Sequence, residues 1–539
     1  MYITMLHLRK NLPFILLFIG IFSYILYFSL FSILRYEKLY SHYFDLGIMH
    51  QTVYNTYQGI RTGDFSRILE MTDPHGSAEQ VKRMAVHNDV FLLFLAPFYF
   101  IHDGPATILI IQSIVLGLGA LFVFLIAQKI FKKFTNAQYF ALVFAYGYLL
   151  YPPLQKANNF DFHAVTLATT FLLGMYYFLL KKRYMWSLIF AGVSMLTKEQ
   201  VGLTVAFFGA YTIFDSAKEH VSFSRATFKK FVFGSSLLSK IKHFLTKKQN
   251  RFGLFLFIIG VLWVIVSIKI IIPHFRMGEH FAMKYFQYLR NTPMKIIPVI
   301  FRYETFHYIF ILLMPLGLLS LFAPFQIFIA LPDIAMNVLS TNSNMRNIYF
   351  HYDSVITPFV FISAMYGAHT LLESKFSVLI RGTKHIAHFI KLPKGIVQIV
   401  SRLKHDPEHV VMSFLIGSIV VVSLYMSPLP WGHHKDMFPW GPYPEKYADI
   451  KLWKMYLSDE SIKVSTTGHL APHFTSRRYF YNFAEGYDLA AYVVIDRSEI
   501  HQGFQTELKS AEYEKILHDW RYIKMYDVHD IEVYKKLKF

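Results

Sequence analysis

LPFILLFIGIFSYILYFSLFSIL, residues 12–34, carries no charged side chain. As a helix rising about 1.5 Å per residue, it is long enough to cross a hydrocarbon core of about 30 Å. Three further runs read the same way: TILIIQSIVLGLGALFVFLIA (107–127), where Gln112 is the polar exception, FGLFLFIIGVLWVIVSI (252–268) and VVMSFLIGSIVVVSLYM (410–426). Of the 539 residues, 54% are hydrophobic and 17% charged, whereas soluble chains carry roughly 25% charged residues. The apolar excess is gathered into blocks, which makes the chain an α-helical polytopic membrane protein. Arg9 and Lys10 precede the first run, as in a signal peptide. The run is longer than an apolar signal core of about 7–15 residues, and no small-residue cleavage pattern follows, so it reads as a retained span. Cysteine is absent, which excludes disulfides and thiolate chemistry. The net charge of +19 fits cytoplasmic lysines facing anionic lipid better than a nucleic-acid partner.

Short basic loops orient the chain. QKIFKKF (128–134), the KKRY turn (181–184) and two linkers, 215–251 and 371–408, collect lysine and arginine. With all of them cytoplasmic, the spans alternate through 12–34, 105–127, 138–152, 163–180, 184–197, 201–214, 253–273, a hairpin within 307–340 broken near Pro324, 353–370 and 409–428. This predicts about eleven transmembrane helices, a cytoplasmic N-terminus, and outer loops at 35–104, 153–163, 274–306 and 341–352 of a transmembrane domain 1–428. Residues 429–539 lack a run of membrane length. IKVSTTGHLAPHF (462–474) and AAYVVIDRSEI (490–500) read as short strands and KYADIKLWKMYL (446–457) as a helix, so a small C-terminal extracytoplasmic α/β domain is expected.

That topology puts five polar clusters on one side, each beside an apolar stretch: HYFDLGIMHQTVYNTYQG (42–59), HNDVFLLFLAPFYF (87–100), NNFDFH (158–163), KEQ (198–200) and RNIYFHYD (346–353). The span centres hold few ionisable groups, which argues against a proton or cation pathway through the bilayer. Each cluster also has a plain structural account. Asp45 reads as the N-cap of an amphipathic interfacial helix at 46–58, and Asp161 and His163 as caps of the next span. His87 reads as an interface histidine, and Lys198 and Glu199 as an exposed turn pair of little energetic worth. Caps alone do not explain why acid, imidazole, amide and lysine recur on one face.

YFDLGIMHQTVYNTYQG (43–59), HNDVFLLFLAPFY (87–99), LLYPPLQKANNFDFHAVTLA (149–168), TKEQVGL (197–203) and IYFHYDSVITPFVF (348–361) resemble a prokaryotic family of predicted multi-span membrane proteins. That family is a domain of unknown function related to the GT-C glycosyltransferases, and the tail resembles its C-terminal portion. The resemblance implies a GT-C-like fold in the plasma membrane and transfer of a sugar, on the extracytoplasmic face, from a polyprenyl-phosphate-linked donor to a glycan, lipid or protein acceptor. It also implies a catalytic acid in the first outer loop, at Asp45. Here that acid stands alone in FDLG, where an aspartate–x–aspartate or a glutamate pair is typical.

An inverting transfer needs a base at the acceptor hydroxyl and a cation at the leaving phosphate. Asp45 is the first candidate base, with Asp161 and Glu199 next. Lys198 and Arg346 are candidates for the phosphate. His87, His163 and His351 are candidates to bind it or to orient a carboxylate, and Asn159 and Tyr352 complete the expected substrate contacts. Trp431 and Trp440 read as interface anchors. No metal site is assigned: His87, Asp89, Asp161 and His163 are ligand-type side chains without a metal-specific spacing, and a divalent cofactor stays open. Two alternatives stand beside the enzyme: a lipid-carrier transporter, and a non-catalytic scaffold or sensor of the same fold.

Overall fold

The computed structural model describes residues 2–74, 79–218, 244–278, 280–373, 406–433 and 438–537. The basic linkers expected at 215–251 and 371–408 lie largely outside the described residues. The protein is the mostly helical membrane protein expected, with a small sheet region at its C-terminus.

Each apolar stretch coincides with a helical segment. These are Tyr2–Glu37, Pro105–Ile130, Ala137–Leu149, Ala164–Leu180, Tyr184–Met195, Val201–Lys218, Lys248–Val266 running on to Ile272–Arg276, the pair Tyr303–Leu313 and Leu331–Leu339, Thr357–Glu373 and Pro407–Met426. Among the described residues, four helices are long and apolar enough to cross a membrane alone: Asn11–Glu37, Pro105–Ile130, Lys248–Arg276 and Pro407–Met426. A fifth is added if the bent pair Pro293–Ile300 and Tyr303–Leu316 is one span. Burial separates two kinds of helix. Tyr2–Glu37 leaves Phe18, Ile19, Phe22 and Leu26 exposed as a lipid-facing stripe, whereas Ala164–Leu180 is buried along nearly its whole length and so is apolar all round. The break expected near Pro324 is joined by an earlier one. Gly317 and Leu318 are both left-handed, with φ of 61° and 55°, and a second break follows at Ala323 before Pro324. Glycine enters that region without steric cost and so sets the first turn.

The segment after the first helix corrects one expectation. The helix there is Ile48–Thr62, and it does not lie in the headgroup layer: every residue from Ile48 to Gly59 is buried. Its apolar side chains share one core with the C-terminal region, where Tyr43, Leu46, Val53 and Met71 pack with Val464, Phe480, Val494 and Ile531. The apolar surface of this segment belongs instead to Val90–Phe100 and the residue after it, which leave Phe94, Phe98, Phe100 and Ile101 exposed.

The C-terminal sheet has five strands, β3 (Val464–Thr466), β4 (Phe480–Asn482), β5 (Tyr492–Asp496), β6 (Tyr522–Val528) and β7 (Ile531–Lys536), following a two-stranded pair β1 (Glu70–Thr72) and β2 (Gln80–Lys82) in the segment after the first helix. The order is β4-β3-β5-β7-β6; β3 runs parallel to β4 and β5, and β7 antiparallel to β5 and β6. Polar bonds reinforce the shared core. Arg478 holds Glu70 through Nε and Nη2 at 2.8 and 3.1 Å, and Arg67 holds Glu460 at 3.1 and 2.9 Å. The Gln51 amide donates to the carbonyls of Arg477 and Arg478.

Val201–Lys218 and Lys248–Val266 meet backbone to backbone. A Cβ on Gly209 would lie 2.4 Å from the Gly253 carbonyl oxygen, and one on Gly260 would lie 2.4 Å from that of Gly202. Small residues at such a contact let two membrane helices approach closely. Gly209→Leu is therefore expected to cost at least the ~1–3 kcal/mol of an overpacked core and to lower the melting temperature of the detergent-solubilised protein. Gly192→Ala, whose Cβ meets nothing within 4 Å, is expected to leave it unchanged or slightly raised.

Candidate active site

Asp45 lies in a π-helical turn, Tyr43–Gly47, placed just before the buried helix Ile48–Thr62. It is not that helix's cap. His42 opens the turn, its Nδ1 accepting the Phe44 N–H at 3.4 Å. The C-terminal region clamps the same turn: the Tyr43 N–H donates to the Gly468 carbonyl at 2.9 Å, and a Cβ on Gly468 would come within 2.1 Å of His42 Nε2. Any larger residue there would displace the His42 ring.

FDFH meets this turn from the other side. The His42 N–H donates to Asp161 Oδ2 at 3.2 Å, and His163 Nε2 is 3.2 Å from Asp45 Oδ1. The capping account of these residues therefore fails: His163 precedes helix Ala164–Leu180 without a side-chain cap bond, and its ring is turned toward Asp45. The His163 ring stacks on that of His351, with centroids 3.7 Å apart. Arg35, buried at the end of the first helix, acts by charge on both Asp161 and Asp45 while its Nη2 donates to the Tyr40 carbonyl. Burial pushes the Asp161 carboxyl up to about 7; Arg35 opposes the rise and Asp45 adds to it. Burial holds the His351 imidazole well below its usual range and lowers that of His42 to about 4.

KEQ and HND form a second group. Glu199, expected as an exposed turn residue, is buried. One of its oxygens, Oε1, is 2.8 Å from His87 Nδ1 and 3.1 Å from His280 Nε2, and the other accepts the Asn88 N–H at 2.9 Å. Burial by itself would raise this carboxyl, but the two imidazoles hold it well below the usual range. Burial also lowers His87, to about 3. Asp89 lines the same space but is held by buried Arg83 through two nitrogens at 2.8 to 3.0 Å. The ligand-type set His87, Asp89, Asp161 and His163 is therefore not assembled. Among the described residues, His87, Glu199 and His280 are the group of three whose ligand atoms all lie within 4.8 Å of one another. Lys198 lines the same space; no described group hydrogen-bonds its ammonium, while Glu199, Asp89 and Asp333 act on it by charge.

Two adjoining cavities, of about 530 and 540 Å³, connect the groups. Asp45, His351, Tyr352, Phe44 and Phe504 line both. Asp161 and Arg35 line the first; His87, His163, Lys198 and Glu199 line the second. Two expected residues stand apart from both. Asn159 is buried with neither amide atom hydrogen-bonded among the described residues, and Arg346 donates to the carbonyls of Asn337 and Ser340 at the C-terminal end of helix Leu331–Leu339. Sequence reading missed Arg35, His42 and His280, and also His469, Glu499 and Phe504, which the C-terminal region adds to the first cavity. Arg35 carried a weak signal, as the first charge after a long apolar run; the C-terminal contributors carried none.

The family model for "Predicted membrane protein (DUF2079)" matches residues 35–414. The chain belongs to the DUF2079 family. The DUF2079 stretch contains every candidate residue named from the sequence, so the C-terminal wall of the first cavity comes from outside the matched region. No curated protein matches the chain. Among solved structures, the fold is similar to ArnT from Cupriavidus metallidurans in the apo state, with a TM-score of 0.45 and 12% identity over 92% of this chain and 93% of that one. ArnT bound to undecaprenyl phosphate gives 0.45 and 11% over 96% and 98%. The Archaeoglobus fulgidus oligosaccharyltransferase AglB, in complex with an inhibitory peptide and a dolichol-phosphate, gives 0.41 and 12% over 98% and 75%. Likenesses this distant leave the chemistry to be read from the residues.

Asp161 links the site to pH. Its folded-state pKa near 7 lies above the ordinary ~3.9 of an unfolded aspartate, so its contribution to stability is complete below about pH 4 and is lost as pH rises toward 7. Asp161→Asn is expected to gain stability relative to wild type between pH 5 and 8, by at most about 4 kcal/mol, in melting curves of the detergent-solubilised protein.

Proposed function

We propose that this DUF2079 protein is a glycosyltransferase of the plasma membrane that moves a sugar from a polyprenyl-phosphate-linked donor to an acceptor hydroxyl on the extracytoplasmic face. One observation carries the reading: residues as far apart as Asp45, Asp161, Lys198 and His351 line two adjoining cavities with Asp45 common to both. A two-substrate transfer needs this arrangement, with one base within reach of both partners.

In this reading Asp45 takes the proton of the acceptor hydroxyl. The hydroxyl oxygen attacks the anomeric carbon, the bond from that carbon to the phosphate oxygen breaks, and the lipid phosphate leaves with the bonding electrons. Lys198 meets the leaving phosphate, which is consistent with an ammonium that no described protein group hydrogen-bonds. His163, within hydrogen-bond distance of Asp45, orients the base. Asp161, raised toward neutrality by burial, helps to hold the turn that carries Asp45 through the His42 N–H. A scaffold would not need the polar clusters to adjoin, and a lipid carrier would need a polar path through spans whose centres are apolar.

Purified protein incubated with labelled polyprenyl-phosphate sugars and membrane-derived acceptors is expected to transfer label. Asp45→Asn is expected to lower the rate by about 10²–10⁴, the usual worth of a general base, while donor binding persists. Lys198→Ala is expected to weaken donor binding. Wild-type rates in Asp45→Asn would remove the base, and a wild type that neither binds nor consumes any lipid-linked sugar would remove the reading.

A further inference from the structure

The cluster of His87, Glu199 and His280 has no part in the transfer described above. The geometry points to it as a zinc site on the wall of the second cavity, one that joins three outer segments.

The case rests on convergence. Two imidazole nitrogens from different loops approach the same oxygen, Glu199 Oε1, at 2.8 and 3.1 Å. All three ligand atoms lie within 4.8 Å of one another. Two imidazoles and a carboxylate form a donor set that suits Zn²⁺, with metal–ligand distances of about 2.0–2.2 Å and a fourth position left open. Here that position would face the cavity that Lys198 also lines.

The ligands are held in place by bonds of their own. The buried pair of Arg83 and Asp89 fixes the segment carrying His87. The Asn88 N–H takes the second oxygen of Glu199, and the Asn88 amide donates to Ser267 Oγ at 2.8 Å, tying this segment to the helix that leads toward His280. Arg276 donates to the Ala85 carbonyl across the same gap. Fixed outer contacts of this kind orient metal ligands.

A purely structural account competes with this one: Glu199 would simply accept two imidazole N–H groups. In this structure His280 Nδ1 accepts the Ala282 N–H at 3.0 Å, which leaves the proton on Nε2. An ion on Nε2 would move that proton to Nδ1 and turn the Ala282 N–H away, so loading has to reset the turn at 280–282. Zinc uptake is measured directly and does not depend on the transferase reading.

The full chain, purified in detergent and stripped with EDTA, is titrated with Zn²⁺, and the bound metal is counted after desalting. The expected result is one zinc per chain, with the Kd raised about 100-fold or more in His280→Ala and in Glu199→Gln, at least the loss that follows removal of an outer-shell partner. Asp45→Asn, which alters the neighbouring group, should bind zinc as wild type does. His87→Ala, on a separate segment, supplies the same readout if His280→Ala does not fold. The proposal is overturned if wild type takes up no stoichiometric zinc, if the folded imidazole variants bind as tightly as wild type, or if Asp45→Asn loses the metal.

Discussion

The apolar core shared by the segment after the first helix and the C-terminal sheet is the constraint on which the rest depends. Tyr43, Leu46, Val53 and Met71 on one side, and Val464, Phe480, Val494 and Ile531 on the other, are buried together. Each such side chain contributes roughly 1.5–3 kcal/mol when fully buried, so the two regions are unlikely neighbours in sequence but strongly bound ones in space. Asp45 sits on a turn inside this composite, and the Gly468 carbonyl receives the N–H two residues before it. The position of the candidate base is therefore set by a segment more than four hundred residues away.

Burying so many polar groups is costly unless each is matched. Arg83 and Asp89 meet this demand with a two-point bond, and Glu199 meets it with three donors. Asp161 is matched less completely, and its carboxyl moves toward neutrality. Lys198 is the contrasting case: it faces the second cavity with no described hydrogen-bond partner. Lys198 is thereby left available to a ligand, whereas a ligand at Glu199 has to displace hydrogen bonds already made there.

Much of the architecture was legible from residues 12–34 and the other apolar runs, because a bilayer imposes length and apolarity on any helix that crosses it. FDLG, FDFH and KEQ were legible as a set for the same reason: polar residues beside apolar helices are conspicuous. The errors came where a local pattern has two readings. The residues after Asp45 look amphipathic, and an amphipathic helix can lie on lipid or on protein; here it is buried in protein, within the core shared with the C-terminal region. Asp161 and His163 hold positions that often cap a helix, but their side chains point to a turn more than a hundred residues away. Arg346, equally conspicuous in sequence, is taken up by the carbonyls of Asn337 and Ser340.

The sequence by itself determined the membrane class, the helical segments, the C-terminal strands at 464–466 and 492–496, and the candidate acids and imidazoles, since each follows from composition or short-range periodicity. Only the tertiary structure decided which of those residues meet. It joined Asp45 to His163, and Glu199 to His87 and the unforeseen His280, and it brought Phe504 and Glu499 to the cavity wall. Such encounters depend on how helices and sheet bury apolar area against one another over hundreds of residues, and no local pattern records that packing.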